Sequence, residues 1–401
     1  MPHTLTLCYI ADATNIHVRR WLGYFVNRGH RVYCLSDRPG QIDGVTVIEL
    51  PGSQDVGCSR PLNACIRQVR EIIQKIQPDL VHVFFLYHLG WLAALSGFHP
   101  LIITLLGPDL MLSRQNYKSG LQLKFAHLLN SLSLKQADLV TTVSDNLCKA
   151  ASRMGMGLVP IELIPIGVDP HLFRPDLETT ELREKLQIPD DSFVVLSPRR
   201  MAPRYNQNTI IESIPKVLEE IPRAVFILKD AFSDNPERLA YVEALREQAE
   251  ALGVQHAIRW VGEVPMAELP YYYALSDVVV SVPTVDGMPV TIFEAMAAQK
   301  PLIVGDLASY NEVIIHGQTG LRVPVHNSQV LAGAIVKMHH NPALAKRMVE
   351  ESQVILHQYG IFDEQMMRME RYYNGLLSQD IPRRHPVRKA LNRFLLKALV
   401  S

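Results

Sequence analysis

Asp286 and Glu294 stand eight positions apart in the segment running from Ser276 to Ala297, and their setting gives that spacing a chemical meaning. Val278 to Val282 is a short β-branched run of the kind buried in parallel sheets. Pro283 to Pro289 is rich in turn formers, Thr291 to Ala298 reads as a helix, and Pro301 to Gly305 reads as the next strand. One acid therefore falls on the loop at the strand's carboxyl end. The other falls about a turn and a half into the helix, at roughly 1.5 Å of rise per residue. The first amides of a helix have no partner within it and favour anions. Acid, free amides and acid in that order make a receptor for sugar hydroxyls, phosphates and ribose hydroxyls.

The elements around this segment alternate. In the first half, strands are expected at Leu5–Ile10, Val32–Ser36, Val45–Leu50, Leu80–Phe85, Leu101–Leu105 and Leu139–Val143. Helices are expected at His17–Arg28, Leu62–Ile76 and Gly120–Gln136. The second half repeats the theme. Strands at Val194–Ser197, Ala224–Leu228 and Ile258–Val261 alternate with helices at Asn208–Glu220 and Pro236–Leu252, and further helices follow at Val330–Met338, Pro342–Gln358 and Asp363–Leu377. Ile164 to Pro175 carries Pro165, Gly167, Pro170 and Pro175 and reads as a linker. The order predicts an α/β protein of two Rossmann-like domains facing a cleft, over residues 1–165 and 176–362, with a crossover helix over 363–381.

The chain's 401 residues suit two domains, and 48% hydrophobic residues suffice for sizeable cores. Lysine and arginine total 40, as do aspartate and glutamate, so no basic surface points to nucleic acid. Cys8, Cys34, Cys58, Cys65 and Cys148 lack metal-ligand spacing, and five is an odd number for a disulfide framework. They read as reduced thiols in a cytoplasmic protein. No apolar run approaches the roughly 18 residues of a membrane span, and no Gly-x-Gly-x-x-Gly follows the first strand, which argues against a dehydrogenase.

Taken in order, these segments resemble the retaining family-4 glycosyltransferases of GT-B fold over almost the whole chain. The resemblance is carried by Ala137 to Ser144, Ile164 to Asp169 with Phe173 and Pro175, and Ser197 to Arg200. It continues through Val261-Gly262, Leu275 to Asp277, Asp286 to Ala297, Asn311 to Val313, and Gly317 to Gly320. The family's paired acidic motif has two glutamates with seven residues between. Here the first is the shorter Asp286. The resemblance implies that Asp286 accepts hydroxyls of a donor hexose, and that the backbone of Gly287, Met288, Pro289, Val290 and Thr291 holds the sugar and diphosphate. It implies that Glu294 grips both ribose hydroxyls. Arg199 or Arg200 would neutralise the departing diphosphate, and the sequence leaves both open. The donor is then a nucleotide-diphosphate sugar. No Asp-x-Asp motif occupies a suitable loop, so no metal or other cofactor is called for. With no carboxylate nucleophile in view, the resemblance suggests front-face attack with retention.

In the first domain, the loop and helix start from Ala11 to Trp21 follow the first strand, where ligands of such sheets bind. Asn15, His17 and Asp109 are the acceptor-side candidates, although Asn15 also suits a helix cap. Gly107 to Asp109 resembles the family's His-Gly-x-Asp loop, with Leu106 in place of the histidine. Tyr205 stands where a phosphate-binding lysine is common, and Lys229-Asp230 replaces a glycine-rich turn. His82, in a strand, reads as structural. Pro382 to Ser401 carries Arg383, Arg384, Arg388, Lys389, Arg393 and Lys397 without an acid, and its apolar residues recur at helical spacing. That basic amphipathic tail reads either as a helix packed on the first domain or a frayed end, or as peripheral attachment to an anionic membrane surface. Such attachment would suit a lipid-linked acceptor among the glycan or lipid-linked acceptors expected. The reading is hexose transfer to a hydroxyl. A nucleotide-sugar epimerase and a catalytically weak binding subunit are the alternatives, distinguished by donor turnover with and without acceptor.

Overall fold

The computed structural model describes residues 4–50, 62–107, 110, 120–154, 159–231 and 235–378. Asp109, Cys58 and the basic tail over 382–401 lie outside the described residues. The chain divides into two compact units, one of residues 1–165 with 364–401, the other of 166–363.

The first unit holds β1 (Thr6–Ile10), α1 (Ile16–Asn27), β2 (Arg31–Ser36), β3 (Val45–Glu49), α2 (Leu62–Ile76) and β4 (Leu80–Phe84). It continues with α3 (His88–Ser96), β5 (Leu101–Leu105), α4 (Gly120–Gln136), β6 (Leu139–Thr142), α5 (Asp145–Arg153) and β7 (Ile161–Leu163). Its seven strands pair in parallel in the order β3-β2-β1-β4-β5-β6-β7. Every residue of β4 and β5 is buried, as central strands covered on both faces require.

The second unit holds α6 (Thr180–Lys185), β8 (Phe193–Ser197), α7 (Gln207–Glu220), β9 (Ala224–Leu228), α8 (Pro236–Ala251), β10 (Ile258–Trp260) and α9 (Leu269–Leu275). There follow β11 (Val278–Ser281), α10 (Val290–Ala297), β12 (Leu302–Gly305), β13 (Leu321–Val323), α11 (Ser328–His340) and α12 (Pro342–Ile355). The six strands, again parallel, lie in the order β10-β9-β8-β11-β12-β13. Both sheets thus reverse direction of winding once, between β1 and β4 and between β8 and β11. In open parallel sheets, ligands collect at the carboxyl ends of the strands flanking such a reversal.

The last helix, α13 (Phe362–Ser378), returns to the first unit. Its Tyr373 hydroxyl lies 3.0 Å from the Tyr9 hydroxyl and 2.6 Å from His82 Nδ1. The row continues from His82 Nε2 to Thr104 Oγ1 and from there to Thr141 Oγ1, at 2.6 Å each. Four strands and a helix that is remote in sequence share one buried line of hydrogen bonds. His82 is fully buried, and burial lowers its pKa to about 3, so the ring is neutral and structural, as its place in a strand suggested. At the other crossing, Val168 N donates to Gly360 O at 2.7 Å and Phe362 N to Val168 O at 2.9 Å. Gly167 beside them has φ 73°, and a Cβ there would stand 2.8 Å from Phe362 N, so only glycine fits.

The sequence reading omitted α3, α5, α6, α9, β7 and β13. Helix α3 is buried from Leu89 to Ser96 apart from Trp91 and has no amphipathic stripe to find. Strands β7 and β13 are three-residue edge strands. Buried thiols are chemically quiet: burial raises the pKa of Cys8 and pushes that of Cys34 up to about 12. Among the described residues no helix is long and apolar enough to cross a membrane.

Candidate functional site

The residues brought together in the second unit come from the carboxyl ends of β8, β11 and β12. Arg199 follows β8 and is 7% exposed. One terminal nitrogen of its guanidinium lies 2.7 Å from Asp286 Oδ2, and the other donates to Thr291 Oγ1 at 3.0 Å. The Tyr205 ring lies under the guanidinium, 4.4 Å from ring centroid to Cζ, a cation–π contact. Burial, the largest single influence, would lower the arginine's pKa, but Asp286, Tyr310 and Tyr205 together outweigh it and the net shift is upward, so the cation is fixed. Arg200 differs. Its side chain is 62% exposed, and its Nε lies 3.9 Å from Asp230 Oδ2, a carboxylate also bound by Lys229 at 2.9 Å. The structure therefore puts Arg199, and not Arg200, against Asp286.

Asp286 lies on the loop after β11. Its Oδ1 accepts from Gly287 N at 2.9 Å, and its Oδ2 accepts from the Tyr310 hydroxyl at 3.0 Å as well as from Arg199. Tyr310 is fully buried beyond β12. Burial first, and then the Asp286 charge, raise its pKa well above the ordinary value, so it remains a donor. Helix α10 opens at Val290 with Pro289 in extended conformation before it and no side-chain cap. Its first amides therefore lack a side-chain capping oxygen, although Ile292 N bonds to Pro289 O at 3.2 Å. Glu294, on the second turn of α10, is 5% exposed, and its Oε2 accepts from the Tyr273 hydroxyl at 2.6 Å. Burial first and the neighbouring carboxylate second raise the Tyr273 pKa, which keeps that proton in place. Glu294 is thus a buried, oriented acid and not a solvated helix residue.

The cluster has one anchored cation, an acid held by three donors, uncapped helix amides and a second oriented acid. That set can bind a phosphate between cation and amides while carboxylate oxygens take hydroxyls on either side. Sequence reasoning did not single out Tyr310 or Tyr273. Tyr310 precedes the quoted Asn311-Glu312 pair, and nothing in its type announced a bond to Asp286. Tyr273 sits in the run Tyr271-Tyr272-Tyr273, where only the fold distinguishes the inward ring.

Of the first-unit candidates, Asn15 serves as the cap of α1, its side-chain oxygen accepting from His17 N at 2.9 Å and Val18 N at 3.4 Å. His17 is half-buried in the first turn of α1.

Two family models cover most of the chain. Residues 178–354 match that of the glycosyl transferases group 1, and residues 6–144 match that of the glycosyl transferase 4-like domain. The chain belongs to the family-4 glycosyltransferases of GT-B fold. A GDP-mannose-dependent alpha-(1-6)-phosphatidylinositol monomannoside mannosyltransferase of Mycobacterium tuberculosis is 30% identical over 211 residues, 50% of this glycosyltransferase and 52% of that protein. The chain spans about half the length of the first such relatives it matches. An alpha-monoglucosyldiacylglycerol synthase of Acholeplasma laidlawii is 22% identical over 81% of this chain and 84% of its own. In fold, the glycosyltransferase is similar to a sucrose-phosphate synthase of Thermosynechococcus elongatus, with TM-score 0.77 and 19% identity over 93% of this chain and 99% of that one. It is also similar to Anabaena HepE in complex with UDP-glucose, with TM-score 0.76 and 19% identity over 93% and 100%.

Proposed function

We propose that this glycosyltransferase moves a hexose from a nucleotide-diphosphate sugar to a hydroxyl of a glycan or lipid-linked acceptor, with the anomeric configuration retained. The observation that carries the reading is the buried Arg199, 2.7 Å from Asp286 and 3.0 Å from Thr291, at the open start of α10. In this reading the backbone from Gly287 to Thr291 and the Arg199 guanidinium receive the diphosphate. Asp286 takes hydroxyls of the hexose, and Glu294, oriented by Tyr273, takes the ribose hydroxyls. When the bond between the anomeric carbon and the phosphate oxygen breaks, negative charge grows on that oxygen, and a preorganised buried cation stabilises it without reorganising. The acceptor oxygen bonds to the anomeric carbon from the same face and passes its proton to the departing phosphate oxygen. The chain's contribution is positioning and charge.

The names of the similar proteins support the substrate class: the mycobacterial relative is GDP-mannose-dependent, the Acholeplasma relative is a glucolipid synthase, and HepE was crystallised with UDP-glucose. A lipid-linked acceptor would suit a protein held at an anionic cytoplasmic membrane surface by its basic tail. Sedimentation of the full chain, and of one ending at Asp380, with anionic vesicles tests that part. The reaction is tested by incubating the full chain with a panel of nucleotide sugars, with and without glycoside and phosphatidylinositol acceptors, and following products by mass spectrometry and anomeric NMR. Acceptor-dependent glycoside of retained configuration is expected. A free epimerised sugar, or inverted product, overturns the reading.

A further inference from the structure

The first sheet reverses its winding between β1 and β4, as the second does between β8 and β11, yet the residues anticipated there account for little. Asn15 is a cap. Another pair occupies the place. Asp37, directly after β2, is 7% exposed, and its Oδ2 lies 2.8 Å from Nε2 of His88, the first residue of α3 after β4. We propose that Asp37 and His88 form the subsite for the hydroxyl-bearing acceptor, a sugar or polyol headgroup, with His88 Nδ1 accepting the hydrogen bond of an acceptor hydroxyl. The proposal rests on the transferase reading.

The chemistry of the pair sets its direction. Burial alone would raise the Asp37 pKa, but the hydrogen bond from His88, helped by the backbone amide and by Arg38, lowers it overall, so the carboxylate is ionised and can only accept. The proton between them belongs to His88 Nε2. In the neutral ring the other nitrogen, Nδ1, then carries a lone pair, and the carboxylate behind the ring fixes that tautomer. The His88 side chain is 31% exposed, so one end is anchored while part of the ring is open to solvent.

The backbone holds the ring in place. Phe85, where the chain leaves β4, has φ 69°, the left-handed region that an aromatic residue rarely enters. Its amide still pairs with Thr104 O at 3.0 Å, so the twist comes immediately after the sheet. Helix α3 then packs back so closely that a Cβ at Gly90 would stand 3.0 Å from Phe85 O. The loop bearing Asp37 is tied as firmly: Ser36 Oγ accepts from Ala13 N at 2.9 Å and donates to Arg38 O at 2.8 Å. Two loops on either side of the reversal are fixed so that carboxylate and imidazole meet, which is the arrangement expected where a ligand is oriented. A hydroxyl matches a ring-nitrogen lone pair backed by a buried anion. An anionic group does not, because Asp37 repels it.

The test uses the full chain with radiolabelled UDP-glucose and GDP-mannose, each with water alone, with methyl α-D-glucopyranoside and methyl α-D-mannopyranoside, and with phosphatidylinositol vesicles. Asp37→Asn keeps the shape but offers an N–H to Nε2, which moves the ring proton to Nδ1 and turns the acceptor nitrogen into a donor. We expect acceptor KM to rise about tenfold or more, matching the loss of one oriented hydrogen bond. Donor hydrolysis without acceptor, and calorimetric affinity for UDP and GDP, stay at wild-type level. His88→Ala loses the same contact, and His88→Gln, whose carbonyl can accept, recovers part of it. Acceptor transfer equal in wild type and Asp37→Asn, whatever its level, overturns the subsite. So does a parallel fall in hydrolysis and nucleotide affinity, which marks the pair as structural. A wild-type chain that consumes no sugar nucleotide of the full panel used to test the transfer defeats the transferase reading itself.

Discussion

Removing the hydroxyl of Tyr310 is the sharpest perturbation of the second-unit cluster, because it deletes one atom and leaves the ring in its buried slot. Asp286 has three donors: Arg199 at 2.7 Å, the Gly287 amide at 2.9 Å and the Tyr310 hydroxyl at 3.0 Å. Tyr310→Phe leaves the first two. A hydrogen bond to an ionised group is worth about 1.5–3 kcal/mol. Arg199 shares Oδ2 and retains its grip, so the lower end, about 1.5 kcal/mol, is the reasonable expectation, and 1.4 kcal/mol is about tenfold in rate. The carboxylate, held then by Arg199 and the Gly287 amide alone, meets the hexose with poorer geometry. We expect kcat/KM for the preferred nucleotide sugar to fall about tenfold. Affinity for the free nucleoside diphosphate should change less than twofold, since the Tyr310 hydroxyl donates to the acid assigned to the hexose. Steady-state turnover and calorimetry on one preparation measure both. An unchanged kcat/KM, or equal losses in turnover and diphosphate affinity, refutes the claim that Tyr310 acts through Asp286.

The other predictions concern the neighbours and the first sheet. Glu294→Gln keeps a partner for Tyr273 but replaces a charged acceptor with a neutral one; nucleoside diphosphate affinity should weaken about tenfold, roughly 1.4 kcal/mol, and unchanged calorimetry would take Glu294 out of the ribose site. Arg199→Lys loses the fork that reaches Asp286 and Thr291 together and should lower kcat about a hundredfold, while Arg200→Ala, at an exposed position, should stay within about twofold; the reverse ranking would reassign the diphosphate contact. His82 has a folded pKa of about 3 against an ordinary 6.5, so the unfolded chain takes up a proton that the folded chain refuses. Its contribution to stability is full above pH 6.5 and is lost as pH falls toward 3, at about 1.4 kcal/mol per pH unit. Denaturant unfolding between pH 7.5 and 5 should show a steeper decline in wild type than in His82→Gln, and parallel slopes would contradict the buried neutral ring.

What was legible in the sequence was whatever local pattern determines. The β-branched run at Val278, the turn that bears Asp286 and the helix that bears Glu294 could be placed because strand, turn and helix each leave a local mark. Both parallel sheets followed from the alternation of such marks. Partnership was not legible. Arg199 and Arg200 are adjacent and chemically identical, and only the direction in which β8 delivers each side chain separates the buried one from the solvated one. Tyr310 reaches Asp286 across 24 positions and His88 reaches Asp37 across 51, distances over which sequence has no periodicity to offer. Helix α3, which presents His88, escaped notice for a related reason: burial almost all round erases the polar face by which a helix is recognised.

The hydrogen bond between Tyr9 and Tyr373 spans 364 positions, and it bears on how the chain acquires its structure during synthesis. Strand β1 leaves the ribosome long before α13. Until α13 arrives, Tyr9 and His82 lack the hydroxyl that joins them, and the face that will receive Met366, Met369 and Tyr373 has no cover. The second unit is contiguous from residue 166 to 363 and has no such debt to later sequence. The half made first is therefore the half finished last. A released fragment ending at Asp363 should carry a protease-resistant second unit and a first unit that is still open to cleavage.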